Sequence, residues 1–236
     1  MTVAADELKR LAAAAAVAQV EDGMVLGLGS GSTAALALEL LAARIAREGL
    51  RIVGIPTSKR TAALARHLAV PLAGFAQHRR IDLTIDGADQ VEKHTLNLVK
   101  GLGGALLREK IVASASRRLV VVVDESKLVA KLGAHTPLPV EIVTFGWQTV
   151  LDRIAALGVA PKLRTTIQGK PFRTDGGNYI ADCGIADGVD AAALEQRLAG
   201  IVGVVEVGLF IGFATDAMVG TRMGLEVLKT SCIRSE

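Results

Sequence analysis

The stretch from Met24 to Ser58, MVLGLGSGSTAALALELLAARIAREGLRIVGIPTS, decides the fold class. It begins with a short apolar strand, passes through a turn of glycine and serine into a long apolar helix, and ends with a second strand. A β-α-β unit of this kind predicts two parallel strands joined by a right-handed crossover.

The same alternation continues on both sides of this stretch. On the C-terminal side, SKRTAALARHLA predicts a helix, IDLTID a strand, LLREKIVASAS a helix and RRLVVVVDES a strongly apolar strand. On the N-terminal side, KRLAAAAAVAQV predicts an amphipathic helix rather than a secretion signal. We therefore expect an α/β fold, with a Rossmann-like, mostly parallel sheet and helices on both faces.

The pattern changes near Thr136. Six segments then follow in the order β-α-β-β-α-β, which predicts a small ferredoxin-like α+β domain: LPVEIVTF, GWQTVLDRIAALG, PKLRTTIQ, GNYIADCG, VDAAALEQRLAG and VVEVGLF. Thr174–Asn178, TDGGN, has the composition of a hairpin turn between the two central strands. We expect a main α/β domain at residues 1–135, the small domain at 136–207, and a C-terminal segment, 208–236, that returns to the main domain.

The composition argues against nucleic-acid and membrane partners. The net charge is only +3, the Lys and Arg residues are dispersed, and 3% of the residues are aromatic, so few rings could stack on nucleobases. A modest positive charge still helps to attract a phosphorylated metabolite. No apolar run approaches the roughly 20 residues that span a bilayer, and we expect a cytoplasmic protein.

The sequence also argues against a metal site or a disulfide framework. Cys183 and Cys232 are far apart, and neither they nor the histidines have the spacing of metal ligands. The histidines are His67, His78, His94 and His135.

A glycine-rich turn, Gly27–Thr33, lies directly between the first strand and its helix. Free amides and hydroxyls at a helix start bind phosphate or carboxylate groups. A dinucleotide-binding turn is the rival interpretation, but Ala34 stands at the last glycine position and no acidic residue ends the second strand. The other alternative is that Ser32 simply caps the helix. We favour an anion site.

The segment from Asp82 to Lys110, DLTIDGADQVEKHTLNLVKGLGGALLREK, carries candidate acid–base groups. Asp86 and Asp89 follow a strand, where ligands of open α/β sheets gather, although Asp89 could instead cap the next helix. Lys100 opens a glycine turn whose amides, together with the ammonium, can stabilise an oxyanion. Glu109 is either a base that moves a proton between carbons or a partner in a surface ion pair.

Two other polar segments at strand ends are open to two interpretations. Thr57–Thr61, TSKRT, either contacts a sugar or phosphate or merely caps a helix. Lys127, after VVVVDES, either binds phosphate or lies in solvent at a helix start.

Together these motifs resemble the ribose-5-phosphate isomerase A family, the metal-independent type. The match covers nearly the whole chain, with the motifs GLGSGSTA, PTSKRTAALA, DLTIDGADQV, KGLGGALLREKI, VVVVDESKLVAKLG, LPVEI, TDGGNYI and VGLF in order. The resemblance implies reversible aldose–ketose isomerisation of D-ribose 5-phosphate and D-ribulose 5-phosphate through an enediolate, in the non-oxidative pentose phosphate pathway. It implies no cofactor, and a homodimer or a dimer of dimers.

The resemblance also implies a role for each matched residue. Glu109 matches the catalytic base, Asp86 the carboxylate linked to opening of the furanose ring, and Lys100 the group that stabilises the enediolate. Lys9 is a further candidate for the phosphate. The matched substrate-binding residues are Ser30, Gly31, Ser32, Thr33, Asp86, Gly87, Ala88, Asp89, Lys100, Gly101, Leu102, Gly103 and Lys127.

Five positions depart from the family's usual residues. Gln90 stands for a usual Glu, Ser30 for Thr, Gly104 for Ala and Gly176 for Asn. Leu102 interrupts a usual triple glycine and adds a side chain where the backbone approaches the sugar, which leaves the geometry of that turn open.

Two other functions stay open at this point. One is a different sugar-phosphate enzyme, such as a deaminase or a lactonase. The other is a non-catalytic sugar-phosphate sensor, although such proteins usually carry a DNA-binding module and the sequence has no helix-turn-helix extension.

Overall fold

The computed structural model describes residues 5–133, 136–185 and 189–230. His135 and Cys232, which were considered above as metal or disulfide candidates, lie outside these residues. So do the two ends of the chain, 1–4 and 231–236.

Within the described residues the chain forms six α-helices and three β-sheets. The helices are α1 Ala5–Val17, α2 Ser32–Glu48, α3 Lys59–His67, α4 Leu106–Ser114, α5 Trp147–Ala155 and α6 Ala191–Ala199. The strands are β1 Val25–Leu28, β2 Val53–Pro56, β3 Ile81–Asp86, β4 Gln90–Glu92, β5 Leu98–Val99, β6 Ser116–Asp124, β7 Leu128–Val129, β8 Leu138–Ile142, β9 Ala160–Leu163, β10 Tyr179–Gly184, β11 Val204–Val207, β12 Leu209–Phe210, β13 Asp216–Thr221 and β14 Gly224–Lys229. None of these helices combines the length and the apolar character that crossing a membrane requires.

The largest sheet has six strands in the order β14-β13-β6-β3-β1-β2. All its neighbouring strands are parallel except β14, which pairs antiparallel with β13 at one edge. The predicted α/β class is confirmed, and β13 and β14 bring the C-terminal part of the chain into this sheet.

Alternate residues of β6 pack into two different cores. Val120 and Val122 face the core that the sheet forms with α1, α2 and α3. Leu119, Val121 and Val123 face the opposite core, which includes residues of α4 and of the short strands β4, β5 and β12. Because both faces are covered, β6 can be apolar throughout its central part, which is the pattern of a buried parallel strand.

The second sheet is antiparallel, with the order β11-β8-β10-β9. Its strands and the helices α5 and α6 follow one another as β-α-β-β-α-β, the arrangement expected from the ferredoxin-like pattern. The proposed domain limits at 135/136 and 207/208 stay a prediction.

The connection between β9 and β10 contains two turns where a single hairpin turn was predicted. The turns Thr166–Gly169 and Thr174–Gly177 are each closed by a backbone hydrogen bond of 2.9 Å. Buried Glu141 fixes the second turn, because it accepts hydrogen bonds from Thr174 Oγ1 at 2.8 Å and Asn178 Nδ2 at 2.9 Å.

The third sheet, in the order β12-β5-β4-β7, was not predicted. The segment VVEVGLF was expected to be one strand, but it divides at Gly208 into β11 and β12, which belong to different sheets. The Gly208 amide donates to Pro139 O at 2.8 Å, and its carbonyl accepts from Lys100 N at 2.9 Å. Gly208 therefore joins the second sheet to the third.

We expect Gly208→Ala to destabilise the protein by about 1–3 kcal/mol, as overpacking does. A Cβ atom there would lie 2.7 Å from Pro139 O and closer still to Lys100 O, both of them backbone atoms that cannot move freely. The free energy of unfolding from urea denaturation checks this.

Gly184→Ala is the matched control. The Cβ atom would meet only Ala160 Cβ, at an ordinary 3.7 Å, so we expect a change within about 0.5 kcal/mol. Equal effects of the two substitutions would contradict the role given to Gly208.

Candidate active site

A cavity of about 340 Å³ opens at the carboxyl ends of β1, β3 and β6. This is where the topology of an open α/β sheet places a ligand. The lining residues are Ala5, Lys9, Ser30, Gly31, Ser32, Thr33, Gly87, Ala88, Asp89, Lys100, Gly101, Gly103, Glu109, Asp124, Ser126 and Lys127.

Three buried charged side chains meet beside this cavity. Lys100 Nζ lies 3.1 Å from Asp86 Oδ2 and 3.3 Å from Glu109 Oε1, and it donates a hydrogen bond to Gly87 O. The exposed fractions of Asp86, Lys100 and Glu109 are 1%, 3% and 6%. Charges so far from water require mutual compensation, and this cluster provides it.

Asp86 is held by backbone amides at the end of β3. Its Oδ1 accepts hydrogen bonds from Ser30 N at 3.0 Å and Gly87 N at 2.8 Å. The first glycine-rich turn can approach this closely because Gly29 has no side chain: a Cβ there would lie 2.5 Å from Asp86 Cα. The turn and the carboxylate thus fix each other.

Glu109 combines burial with an unused oxygen. Its Oε2 has no hydrogen-bond partner among the described residues, whereas Oε1 contacts Lys100. Glu109 lies in the first turns of α4 and lines the cavity, so the surface ion pair considered above is not what the structure contains. A buried carboxylate oxygen without a donor is suited to accept a proton from a ligand.

The environment shifts all three pKa values. Burial raises the pKa of Glu109 to about 8, Lys100 opposes this rise and Asp86 adds to it. Burial also raises the pKa of Asp86, against the opposing charge of Lys100. Burial alone would lower the pKa of Lys100, but the charges of Asp86 and Glu109 outweigh it and raise that pKa. Lys100 therefore stays cationic while Glu109 exchanges its proton close to neutral pH.

The start of α2 lies at the predicted anion site, which stays a prediction. The helix begins at Ser32 after Gly31, whose φ of 93° is a conformation that favours glycine, and no side chain caps its first amides. The alternative in which Ser32 caps the helix is therefore not observed. Amides at the start of a helix attract an anion, and Gly31, Ser32 and Thr33 at this helix start line the cavity.

The TSKRT segment supports this turn and does not line the cavity. Ser58 caps α3 by accepting a hydrogen bond from Thr61 N. Ser30 Oγ lies 2.7 Å from Thr57 Oγ1 and 3.2 Å from Thr61 Oγ1, so its hydroxyl is directed towards these side chains. The helix cap is observed, and a contact of this segment with a sugar or phosphate stays a prediction.

The turn after Lys100 accommodates Leu102. Positive φ angles occur at Gly101 (110°) and Gly104 (79°), and Leu102 has neither a positive φ nor a place in the cavity wall. Its side chain is 42% exposed. Its amide donates to Asp89 Oδ2 at 2.9 Å, so Asp89 fixes the turn and does not cap a helix.

Thirteen of the fifteen sequence candidates, Lys9 included, line the cavity, and Asp86 and Leu102 do not. Asp86 lies behind the wall, in contact with Lys100. Asp124 and Ser126 were missed, although both belong to the DES sequence that ends the most apolar strand. Asp124 Oδ1 accepts a hydrogen bond from Ser126 N at 3.0 Å, which orders the backbone before Lys127.

Gln90, where the family usually has Glu, is 3% exposed and accepts a hydrogen bond from Gly133 N, a contact that a neutral amide makes without burying a charge.

Across the described ranges, no three His, Cys, Asp or Glu side chains are grouped as metal ligands would be.

A buried acid–base cluster beside the uncapped start of α2 defines this chain as a candidate acid–base enzyme for a small anionic substrate. A family model described as ribose 5-phosphate isomerase A (phosphoriboisomerase A) matches residues 53–224. Ribose-5-phosphate isomerase A of Synechococcus sp. (strain JA-3-3Ab) is 52% identical, covering 96% of this chain and 99% of that protein. The protein of that name from Gloeobacter violaceus is 54% identical, and the match covers 96% of this chain and 97% of that protein. The chain belongs to the ribose 5-phosphate isomerase A family.

Solved structures agree with this assignment. Ribose 5-phosphate isomerase A from Methanocaldococcus jannaschii has a TM-score of 0.92 and 41% identity, covering 96% of this chain and all of that one. A D-ribose-5-phosphate isomerase in complex with phospho-erythronic acid has a TM-score of 0.93 and 37% identity, with the same coverage. The resemblance inferred from the motifs is confirmed.

We expect the Glu109 carboxyl group to titrate near pH 8, because burial disfavours its charged form. It is protonated below that pH and ionised above it. Carbon-13 NMR of protein labelled at glutamate Cδ measures the midpoint, and Glu109→Gln assigns the signal. Lys100→Met should move the midpoint upwards, since the ammonium lowers this pKa. A Glu109 signal that titrates below pH 6 would contradict the assignment.

Proposed function

We propose that this chain catalyses the reversible isomerisation of D-ribose 5-phosphate and D-ribulose 5-phosphate through an enediolate, as its family does. The observation that carries the proposal is the Oε2 of Glu109, which lacks a hydrogen-bond partner in the described part of the chain and lies beside the buried ammonium of Lys100. Aldose–ketose isomerisation needs these two elements, a base for a carbon-bound proton and a cation for the oxygen that becomes negative.

Glu109 serves as the base in the proposed reaction. It takes the proton from C2 of the open-chain aldose and returns it to C1, while the hydroxyl proton of O2 ends on O1. The result is a carbonyl group at C2 and a hydroxyl at C1, with no net gain or loss of electrons. A pKa near 8 makes Glu109 a stronger base than an ordinary carboxylate, while it still ionises close to physiological pH.

Lys100 stabilises the enediolate. Its ammonium lies within 3.3 Å of both carboxylates and keeps its charge, so it is in place before the substrate oxygen becomes negative. A fixed cation in a buried site stabilises a developing charge without reorganisation. Asp86, on the other side of Lys100, is the carboxylate that we assign to opening of the furanose ring.

The phosphate group binds to the start of α2 in this proposal. No side chain among the described residues caps the first amides of that helix, and its residues Ser32 and Thr33 line a cavity that Lys9 and Lys127 also line. Helix-start amides and lysines together form a common phosphate site. Asp89, Asp124 and Ser126 line the same cavity and are available for sugar hydroxyls.

Turnover in deuterium oxide tests the function. We expect NMR to show conversion of ribose 5-phosphate to ribulose 5-phosphate, with solvent deuterium entering C1 of the product. Ammonia release from glucosamine 6-phosphate would instead identify a deaminase. Binding of ribose 5-phosphate without conversion would identify a sensor, and either result would overturn the proposal.

Glu109→Gln is the decisive variant in the same assay. We expect turnover to fall about 10²–10⁴-fold, the usual contribution of a general base, with binding of ribose 5-phosphate retained. Glu226→Gln on the edge strand β14 is the matched control and should keep full turnover. Near-normal activity of Glu109→Gln would exclude it as the base.

We also propose that the enzyme works in the cytoplasm as a homodimer or a dimer of dimers, as the family resemblance implies. Sedimentation equilibrium counts the subunits, and a monomer at assay concentration would contradict this.

A further inference from the structure

Arg164 reaches from the second sheet to the turn that follows Lys100. It lies directly after β9, and its side chain is 12% exposed. Its Nη1 donates to Gly101 O at 3.1 Å and to Leu102 O at 2.9 Å. One guanidinium nitrogen therefore binds two successive carbonyl groups of the turn.

Asp182 fixes the plane of this guanidinium. The carboxylate of Asp182, on β10, accepts from Arg164 Nε at 2.8 Å and from Nη2 at 2.5 Å. A two-point ion pair of this kind sets the orientation of an arginine as well as its position. The Arg164 backbone is also fixed, because its amide donates to Ile180 O at 2.8 Å and its carbonyl accepts from Phe172 N at 2.9 Å.

These contacts determine which way the amides of the turn point. In a trans peptide the carbonyl group and the following N–H point in opposite directions. The Gly101 carbonyl faces Arg164, and the next amide, of Leu102, donates to Asp89 on the cavity side. The Leu102 carbonyl also faces Arg164, so the Gly103 amide is directed away from it, and Gly103 lines the cavity.

We propose that Arg164, oriented by Asp182, is a positioning residue for the isomerisation: it holds the Gly101–Gly103 turn so that the Gly103 amide and the Lys100 ammonium face the reacting oxygen together. This rests on the proposed function. Arg164 touches no substrate in this arrangement and acts through the backbone. Phe172 supports the same turn, because its ring packs against Gly104 and lies 5.7 Å from the Arg164 guanidinium.

The test compares kcat and KM for Arg164→Met, Arg164→Lys and Asp182→Asn with the wild type. We expect Arg164→Met to lower kcat about 10–100-fold with KM changed less than about threefold, since the misplaced groups act in the transition state. Arg164→Lys should recover little, because an ammonium cannot bind two carbonyls and a carboxylate in one plane. Asp182→Asn keeps a hydrogen-bond acceptor, so its kcat should lie between the kcat of Arg164→Met and that of the wild type.

Two readouts separate positioning from a general loss of structure. Methylguanidinium added to Arg164→Ala should restore part of kcat. Phospho-erythronic acid, as an analogue of the intermediate, should inhibit more weakly by about the same factor as kcat falls. Arg173→Met, which removes an exposed arginine that donates to Gly177 O, is the matched control and should leave kcat unchanged.

The outcomes are distinct. An active wild type together with a folded Arg164→Met of unchanged kcat overturns this proposal alone, as does an equal loss in Arg173→Met. A rise confined to KM places Arg164 in substrate binding and also overturns it. A wild type without turnover overturns the proposed function itself. If Arg164→Met does not fold, the kcat of Asp182→Asn tests the proposal instead. A kcat equal to that of the wild type would then overturn it.

Discussion

The buried ammonium of Lys100 is the constraint on which the rest of the site depends. An ammonium that is 3% exposed has lost most of its hydration, so nearby oxygens must compensate its charge. Asp86 and the Gly87 carbonyl supply them from the end of β3, and Glu109 supplies another from α4. These elements must therefore meet at one point. The charges that make the cluster reactive also define how a strand end, a turn and a helix fit together.

The backbone of Lys100 extends this constraint to the two smaller sheets. Its amide binds the Gly208 carbonyl, and the Gly208 amide binds Pro139 at the start of the second sheet. The chain can pass between the carbonyl oxygens of Lys100 and Pro139 only because Gly208 has no side chain. The second sheet contacts the same region again through Arg164, which binds the turn after Lys100. This sheet thus supports the wall of a cavity that lies at the ends of strands in another sheet.

The parts that could be predicted from the sequence have local signals. The apolar run in β6 and the long helix α2 have clear periodicity, and the carboxyl ends of parallel strands meet at one edge, so motifs at several strand ends could be expected to converge. The strands of the third sheet are only two or three residues long and show no period. Gly208 and Arg164 contribute through contacts with residues far away in the chain, which no local pattern reveals. Ser30 likewise could be recognised as a hydroxyl in a turn, but not as one directed towards Thr57.

Burial of Glu109 has two consequences that cannot be separated. Removing the carboxylate from water disfavours its charged form, so stability falls as the pH rises from the ordinary glutamate pKa of 4.5 towards the raised pKa of about 8, and the same effect makes the carboxylate a stronger base. An exposed glutamate would avoid this cost. It would, however, be ionised well below neutral pH and would therefore be a weaker base towards a proton bound to carbon. Full burial without Lys100 would raise the pKa further and leave too little of the ionised base near neutral pH. One ammonium shared between two carboxyl groups keeps the pKa of Glu109 between these limits, which explains why the protein retains three buried titratable groups in place of an apolar core.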